Sequence, residues 1–242
     1  MRLSFPRSKK SSLSVAGLAA LAVIVPTAVV LAQPAASTGT AVTTATAANT
    51  GAVRVAPAAD PGKLLTASDL GAGWTEVSAD QMQGAAANLR GKPTGLSVSP
   101  KSCVRGMSIP KGYSGEVHRV FKQGSAMYGP YLGTAIAVFT TPKAARKALT
   151  AGITRARACQ KFRVSAEFGS VDGAMSNLRI AKLGDQRVGF SIDATALGFV
   201  PVQGQVIVVR KGNAILAVGQ GGIGVDTTAS TKAAAALAAS RL

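Results

Sequence analysis

The chain has 242 residues, and its 27 lysines and arginines against 10 acidic residues give a formal net charge of +17 at pH 7. Because 47% of the residues are hydrophobic, the chain can bury a core, which excludes a protein that is disordered throughout. Two cysteines and a single histidine are too few for a structural zinc site, so we expect no metal and no cofactor.

The first 32 residues have the pattern of a secretory signal peptide. Residues 1–10 contain four basic residues and no acid, and residues 13–31 are apolar except for Ser14 and Thr27. A basic segment, an apolar segment and small residues near the expected cleavage point define such a signal. The alternative is an uncleaved membrane anchor at residues 13–32, since about 20 apolar residues can cross a bilayer. Pro26 and the many alanines favour cleavage.

Residues 33–60 are predicted to be a disordered linker. Ala, Thr, Val, Gly and Pro dominate this stretch, and only Arg54 and Asp60 are charged. Such a segment cannot bury enough apolar surface to offset its chain entropy. The remaining residues, 61–242, are predicted to form one domain of about 180 residues, which is long enough for a single hydrophobic core.

The first part of this domain contains few regular elements. The sequence predicts, in chain order, a short helical turn at 64–70, a short strand at 74–77, a helix at 81–89 and a loop at 91–110 that contains Cys103. The second cysteine is Cys159. In an oxidising compartment an isolated pair forms a disulfide, while two buried free thiols are the alternative.

Two strands and a basic helix follow. Residues 117–122 alternate, with Val117, Arg119 and Phe121 on one side, which predicts a strand with one face in water. Residues 131–140 predict a second strand. Thr141 and Pro142 begin a helix, because proline is favoured at the first helical position. Apolar residues recur there with helical spacing, and lysine and arginine occupy the outer face.

The rest of the chain predicts more strands and a final helix. Strands are predicted at 176–182, 187–197, 205–210 and 214–218, the last two joined as a hairpin through residues 211–213, and an alanine-rich helix follows Asp226 or Thr227. The predicted fold class is α+β, with a mostly antiparallel sheet of about five or six strands and with helices packed on one face.

The positive charge is concentrated in one part of the domain. Between Glu116 and Glu167 there are nine basic residues and no acid. A field of one sign concentrates anions near the surface, although a basic surface can also simply keep a protein soluble. The candidate contacts for an anionic ligand are Arg119, Lys122, Lys143, Lys147, Arg155 and Arg157. For an exported protein we expect cell-wall polymers or phospholipid head groups rather than nucleic acid.

Two patterns suggest chemistry, and neither is complete. Residues 219–224 match G-x-G-x-x-G, but the chain lacks the second strand with an acid that a dinucleotide fold needs, so a flexible loop after the sheet is the better interpretation. Ser114, Glu116 and His118 lie close together, with Glu116 and His118 expected on one face of a strand. They lack the spaced glycines of a nucleophile elbow, so an enzyme is not expected and a small secreted hydrolase is a remote alternative.

Several segments resemble a known family. The sequence at 64–70 with Gly73 and Trp74, the strand 135–139 before the helix at Pro142, the cysteine at the end of that helix, and the hairpin at 208–213 are similar to exported actinobacterial sensor domain-containing proteins. The same segments resemble the extracellular domain of PknH-type mycobacterial receptor kinases. The resemblance covers residues 64–242.

The resemblance implies an α+β sensor domain with a cleft between sheet and helices that binds an unidentified extracellular ligand. Those kinase domains use two disulfides, whereas this chain can form only one, so part of the cleft can differ. We therefore expect a secreted or envelope-associated, non-catalytic binding domain, and any signalling would need a membrane partner. The alternative is a basic structural protein that adheres to the wall or to a membrane surface through charge.

Overall fold

The computed structural model describes residues 58–78, 97–103, 110–124, 129–166 and 169–242. The predicted signal at 1–32, most of the linker predicted at 33–60 and the helix predicted at 81–89 lie outside these ranges.

A single antiparallel sheet forms the centre of the domain. Its order is β1-β3-β4-β9-β8-β7-β6-β5-β2. The strands are β1 (Trp74–Glu76), β2 (Ser97–Ser99), β3 (Tyr113–Gln123), β4 (Tyr131–Phe139), β5 (Lys161–Ala166), β6 (Gly169–Asn177), β7 (Gln186–Ala196), β8 (Val200–Lys211) and β9 (Ala214–Ile223). The α+β class is therefore confirmed, but the predicted number of five or six strands is wrong, since the described residues form nine.

Three α-helices accompany the sheet in the described ranges: α1 (Ala67–Leu70), α2 (Pro142–Ala158) and α3 (Thr228–Ser240). Helix α2 packs Ala145 and Leu149 against one face of the sheet, and α3 packs Ala235 and Ala238 against the other. We call these the α2 face and the α3 face. The prediction that helices pack on one face is therefore wrong.

The sequence of β8 explains why both faces need a cover. Val206 and Val208 point to the α2 face, while Ile207 and Val209 point to the α3 face, and all four side chains are buried. A continuous apolar run of this kind belongs to a strand that is buried on both sides. The central strands β4, β8 and β9 all have such runs.

The two ends of the described domain are tied together. Arg241, just after α3, donates to the Asp69 carboxylate of α1 at 2.5 and 2.9 Å and to the Leu64 carbonyl at 3.0 Å. The Arg241 guanidinium holds the pKa of Asp69 well below its usual range. Leu64 and Leu65, beside this ion pair, are fully buried in the core of the α3 face.

The strand predicted at 176–182 is wrong for most of its length, because β6 ends at Asn177. Strands β5 and β6 lie before most of that stretch. Beyond that residue, Leu178 and Ile180 lie across Gly189 of β7 and pack against the core of the α3 face. A β-carbon on Gly189 would lie 2.9 Å from the Leu178 carbonyl oxygen. The alternation of apolar and polar residues at 176–182 therefore belongs mainly to an extended segment that lies on the surface of the sheet.

Gly112 sets the position of α2 relative to β3. Its φ is +80°, and a β-carbon there would lie 2.9 Å from both the Ala144 β-carbon and the Thr140 hydroxyl oxygen. Only glycine allows this conformation and this close approach together. The first turn of α2 therefore abuts the start of β3.

Candidate functional site

Helix α2 presents an exposed basic surface, which we call the α2 basic surface. It consists of Lys143, Arg146, Lys147 and Arg157, all exposed. The helix contains no acidic residue to neutralise them. This surface includes three of the residues that the sequence predicted as anionic contacts.

A fourth predicted residue, Arg155, lies on a different side of the same helix. Its side chain is half-buried, and its Nε donates to the Ala151 carbonyl at 3.4 Å. Arg155 follows Ala144 by three helical turns and so occupies the same side of α2. Ala144 abuts Gly112 at the N-terminal end of α2, whereas Arg155 lies near the C-terminal end, four residues before Cys159.

The remaining two predicted contacts do not join this group. Arg119 points to the α3 face, where its Nε lies 3.6 Å from a Glu76 carboxylate oxygen and its Nη1 donates to the Leu65 carbonyl at 3.2 Å. Lys122 points to the α2 face but lies near the end of β3 farthest from Tyr113 and the start of α2. Four of the six predicted residues therefore lie on α2, and three of them share its basic surface.

On the α2 face, polar side chains of β3 lie opposite small residues of β4, and we call this group of paired residues the β3–β4 trough. Its members are Tyr113, Glu116 and His118 on β3 and Gly133, Ala135 and Ala137 on β4. Glu116 is directly opposite Ala137, and His118 is opposite Ala135. Because the β4 partners are small, the polar β3 side chains have room above the strand. A β-carbon on Gly133 would meet nothing within 4 Å.

A β-bulge brings Tyr113 and Glu116 to the same face. Tyr113 pairs with Phe139 and Gly115 pairs with Val138, so Ser114 is an extra residue in β3. Without this residue, the side-chain period of two would place Tyr113 and Glu116 on opposite faces. Bulges are frequent near functional sites, where they redirect a side chain. The bulge therefore assembles the polar wall of the trough.

The Glu116 carboxyl is the most perturbed group on the α2 face. Its side chain is only 7% exposed, and one of its oxygens lies 3.9 Å from His118 Nδ1. Burial raises the pKa of Glu116 to about 7, and a hydrogen bond with Tyr113 partly opposes this change. Burial and the nearby Glu116 charge raise the pKa of Tyr113 to about 12. Carboxyls with such a raised pKa are concentrated at functional sites.

The sequence indicated only part of this cluster. It placed Glu116 and His118 side by side on one face of a strand, which the 3.9 Å separation confirms. It did not predict that Glu116 is buried while His118 remains half-exposed. The signal that could have shown this is the pairing of β3 with the small residues of β4. Ser114 Oγ is buried and makes no hydrogen bond to His118, so the three residues do not form a triad.

The disulfide fixes the far end of α2. Cys103 and Cys159 are bonded, with their α-carbons 5.0 Å apart and a sequence separation of 56, which confirms the predicted pair. Cys159 is the C-cap of α2, and Cys103 ends a short 3₁₀ turn after β2. The bond therefore holds the basic helix against the β2 edge of the sheet.

The glycine-rich segment has a structural role. Residues 219–223 belong to β9, so the interpretation as a flexible loop is wrong.

Within the described ranges there is no group of three side chains that could hold a metal ion. The helices in those ranges are too short or too polar to cross a membrane.

Comparison with known proteins identifies the fold. No protein-family model matches the sequence, and no curated protein is significantly similar to it. Among solved structures, the extracellular domain of PknH from Mycobacterium tuberculosis aligns with a TM-score of 0.53 and 12% identity, covering 74% of this chain and 93% of that domain. An uncharacterised Mycobacterium smegmatis protein, the Rv0999 ortholog, aligns with a TM-score of 0.36 and 14% identity over 70% of this chain and 86% of that protein. The chain therefore has a PknH-like extracellular-domain fold, as the sequence resemblance implied.

Proposed function

We propose that this protein is an exported, non-catalytic binding domain of the sensor type, and that its ligand binds on the α2 face of the sheet. Its fold is that of a domain that works outside the cell in PknH. Fold alone does not define a function, so the site residues must support the proposal. The observation that supports it most is the position of the α2 basic surface beside a trough whose wall contains a buried carboxyl.

The cysteine pair supports a location outside the cytosol. A disulfide that ties a helix end to a sheet edge persists in oxidising compartments and is rare where thiols are kept reduced. We place the domain in the medium or at the cell envelope, exported by residues 1–32 or anchored by residues 13–32. A signal from the bound ligand would pass through a membrane partner.

The α2 basic surface gives the ligand a chemical requirement. Several exposed cations on a helix that itself contains no acidic residue attract a ligand with several negative groups. Wall polymers and anionic lipid head groups both meet this requirement.

The test is charge reversal on α2 in the full exported domain. Changing Lys143, Lys147 and Arg157 to glutamate should weaken binding to polyphosphate or to vesicles with anionic lipid by about tenfold or more. The matched control reverses three exposed cations elsewhere, Lys182, Arg187 and Lys211. If the affinity falls by the same factor in both triple variants, binding depends only on net charge and there is no binding site on α2.

The exposed cations of α2 also favour a second candidate, a structural protein that adheres through charge alone. Simple adhesion should weaken steeply as salt increases, because screening and counterion release remove its driving force. A shaped site should retain a salt-independent part of its affinity. A salt titration from 50 mM to 500 mM on the unmodified domain therefore separates the two functions.

A further inference from the structure

The turn between β7 and β8 has an unusual sequence for a turn in water. Phe199 closes the turn by donating its backbone N–H to the Ala196 carbonyl at 3.2 Å, and the two central residues, Leu197 and Gly198, have φ values of +55° and +79°. Asn-Gly and Asp-Gly are favoured in such turns, whereas leucine adopts a positive φ only with backbone strain. Strain of this kind is a reason to look for a function.

Leu197 packs against the sheet, whereas Phe199 projects into solvent. The Leu197 side chain lies directly over Gly169 of β6, where a β-carbon would collide with it. This packing supports the turn and offsets part of the backbone strain. The Phe199 residue is 77% exposed, more than any other large hydrophobic residue of the described ranges. The hairpin therefore holds an aromatic ring in water at the apex of a supported turn.

The residues around Phe199 are also apolar. Residues 194–209 contain no charged side chain. Pro201 is exposed, and its carbonyl accepts a hydrogen bond from the Gly224 amide at 3.2 Å. This bond brings Val225, which is 37% exposed, to the same end of the sheet. We call Phe199, Pro201 and Val225 the hairpin tip. Single exposed apolar residues are common, but a group of them on an uncharged hairpin is a candidate contact surface.

The size of the hairpin tip limits what it can bind. A phenylalanine side chain buries about 150–250 Å² on contact. A stable interface between two proteins buries at least about 1,200 Å², so the tip alone is too small to hold a second copy of this chain or another folded protein. A lipid bilayer accepts an aromatic ring without a matching rigid surface, and phenylalanine and leucine are typical of segments that insert at its interface. A bilayer therefore suits a single projecting ring.

The position of the N-terminal segment also suits a bilayer. Arg241 donates to the Leu64 carbonyl at 3.0 Å, so the start of the domain lies beside the end of α3. Helix α3 begins three residues after Val225, and its 13 residues span about 20 Å. A flexible chain over residues 33–57, as their composition predicts, has a root-mean-square length of about 25–30 Å. A membrane anchor at residues 13–32 would therefore leave the tip within reach of the bilayer.

From these features we infer that the hairpin tip docks the domain on a lipid bilayer, with the Phe199 ring inserted among the head groups. One ring binds a bilayer weakly, so docking needs a second attachment, which the N-terminal anchor supplies. The inference concerns a second surface and does not depend on a ligand on α2. Strand β4 ends at Phe139, beside the turn after Lys211 and opposite the tip, so a docked domain holds the start of α2 away from the bilayer.

The test measures how deeply the tip enters the bilayer. The exported chain, from residue 33 onward, is tethered by an N-terminal histidine tag to phosphatidylcholine vesicles that contain nickel-chelating lipid, so that its own linker sets its reach. Trp74 is the only tryptophan, so Phe199→Trp in a Trp74→Phe background reports on the tip alone. The matched control is Leu237→Trp in the same background, at a position near the other end of α3 that is 38% exposed.

We expect vesicles to shift the emission of the Phe199→Trp chain to shorter wavelength, and brominated lipid to quench it, while the emission of the Leu237→Trp chain stays unchanged. Circular dichroism confirms that each variant is folded. If Trp74→Phe prevents folding, Phe199→Trp is placed in the unmodified chain, and the signal of Trp74 measured in that chain is subtracted.

The contrary outcomes are distinct from those that test the proposed function. Quenching of neither position, or equal quenching at Phe199 and Leu237, would overturn docking through the tip. A shift at Phe199 in concentrated protein without vesicles would overturn it in favour of a second copy. Charge reversal at Lys143, Lys147 and Arg157 should leave the tip signal unchanged, and loss of the signal would show that α2 holds the lipid instead. The effect of the same reversal on polyphosphate binding tests the proposed function separately.

Discussion

Replacing Glu116 with glutamine should stabilise the domain at pH 8 and have little effect at pH 5. The native carboxyl has a pKa of about 7 because it is buried, whereas its usual value is 4.5. Between pH 4.5 and pH 7 the folded state binds more protons than the unfolded state. The free energy of unfolding therefore falls as the pH rises through this range. The difference corresponds to about 2–3 kcal/mol lost by pH 8, which glutamine would restore because it has no charge to bury.

Urea unfolding at pH 5 and pH 8 measures this effect. The comparison is best made in a His118→Gln background, because His118 Nδ1 lies 3.9 Å from the Glu116 carboxyl. Asp193→Asn, at an exposed carboxylate of β7, controls for the loss of one negative charge. If the unmodified domain is equally stable at both pH values, or if Glu116→Gln gains nothing at pH 8, the carboxyl is not held in a desolvated site and the reasoning is refuted.

Three further predictions concern the supports of the site. The double variant Cys103→Ser/Cys159→Ser should lose about 4 kcal/mol of unfolding free energy for the 56-residue separation, and equal urea midpoints for both forms would disprove this. Arg241→Gln should lose about 1–2 kcal/mol at pH 7 and less at pH 2, because the stabilisation from a carboxyl with a lowered pKa decreases as the pH falls below its usual pKa of 3.8; thermal unfolding at both pH values measures this. Gly112→Ala should lose more than about 2 kcal/mol, since its φ is positive and its β-carbon would touch α2; an unchanged melting temperature would contradict that contact.

The sequence predicted most of the individual elements around the site. The alternation at residues 117–122, the apolar strand at 131–140 and the helix from Pro142 correspond to β3, β4 and α2. These segments have clear periodicity and clear end signals, which are local properties of the chain. The disulfide was also predictable, because two cysteines allow only one pair.

The number of strands and the second covered face depend on non-local pairing. Strands β5 and β6 have few apolar residues, and their register is marked by Arg163 opposite Asp172, an ion pair with a separation of 2.6 Å. Glycine follows Asp172 in sequence, and this pair is typical of turns, so the local sequence does not indicate a strand there. The continuous apolar runs in β8 and β9 are also compatible with an isolated short hairpin. The sequence alone does not show that a helix covers each face of these strands.

The trough itself was the least predictable feature. Its polar wall depends on the bulge at Ser114, and a bulge leaves no periodic signal when glycine and small residues surround it. Glu116 is paired with Ala137 of another strand, and the sequence does not show such non-local pairing. Four of the six predicted anionic contacts lie on one helix, which the local helical spacing of the sequence predicted. Arg119 and Lys122 lie on β3, away from that helix, and the sequence alone did not show how β3 is placed in the sheet.

Mass spectrometry of the chain from its native cells, after alkylation of free thiols in separate culture-medium, envelope and cytosol fractions, tests the account most directly. We expect the protein outside the cytosol, with Cys103 and Cys159 unmodified by the alkylating reagent because they are bonded to each other. Recovery of the full-length chain from the cytosol with both thiols alkylated would contradict export, the disulfide and an extracellular ligand together.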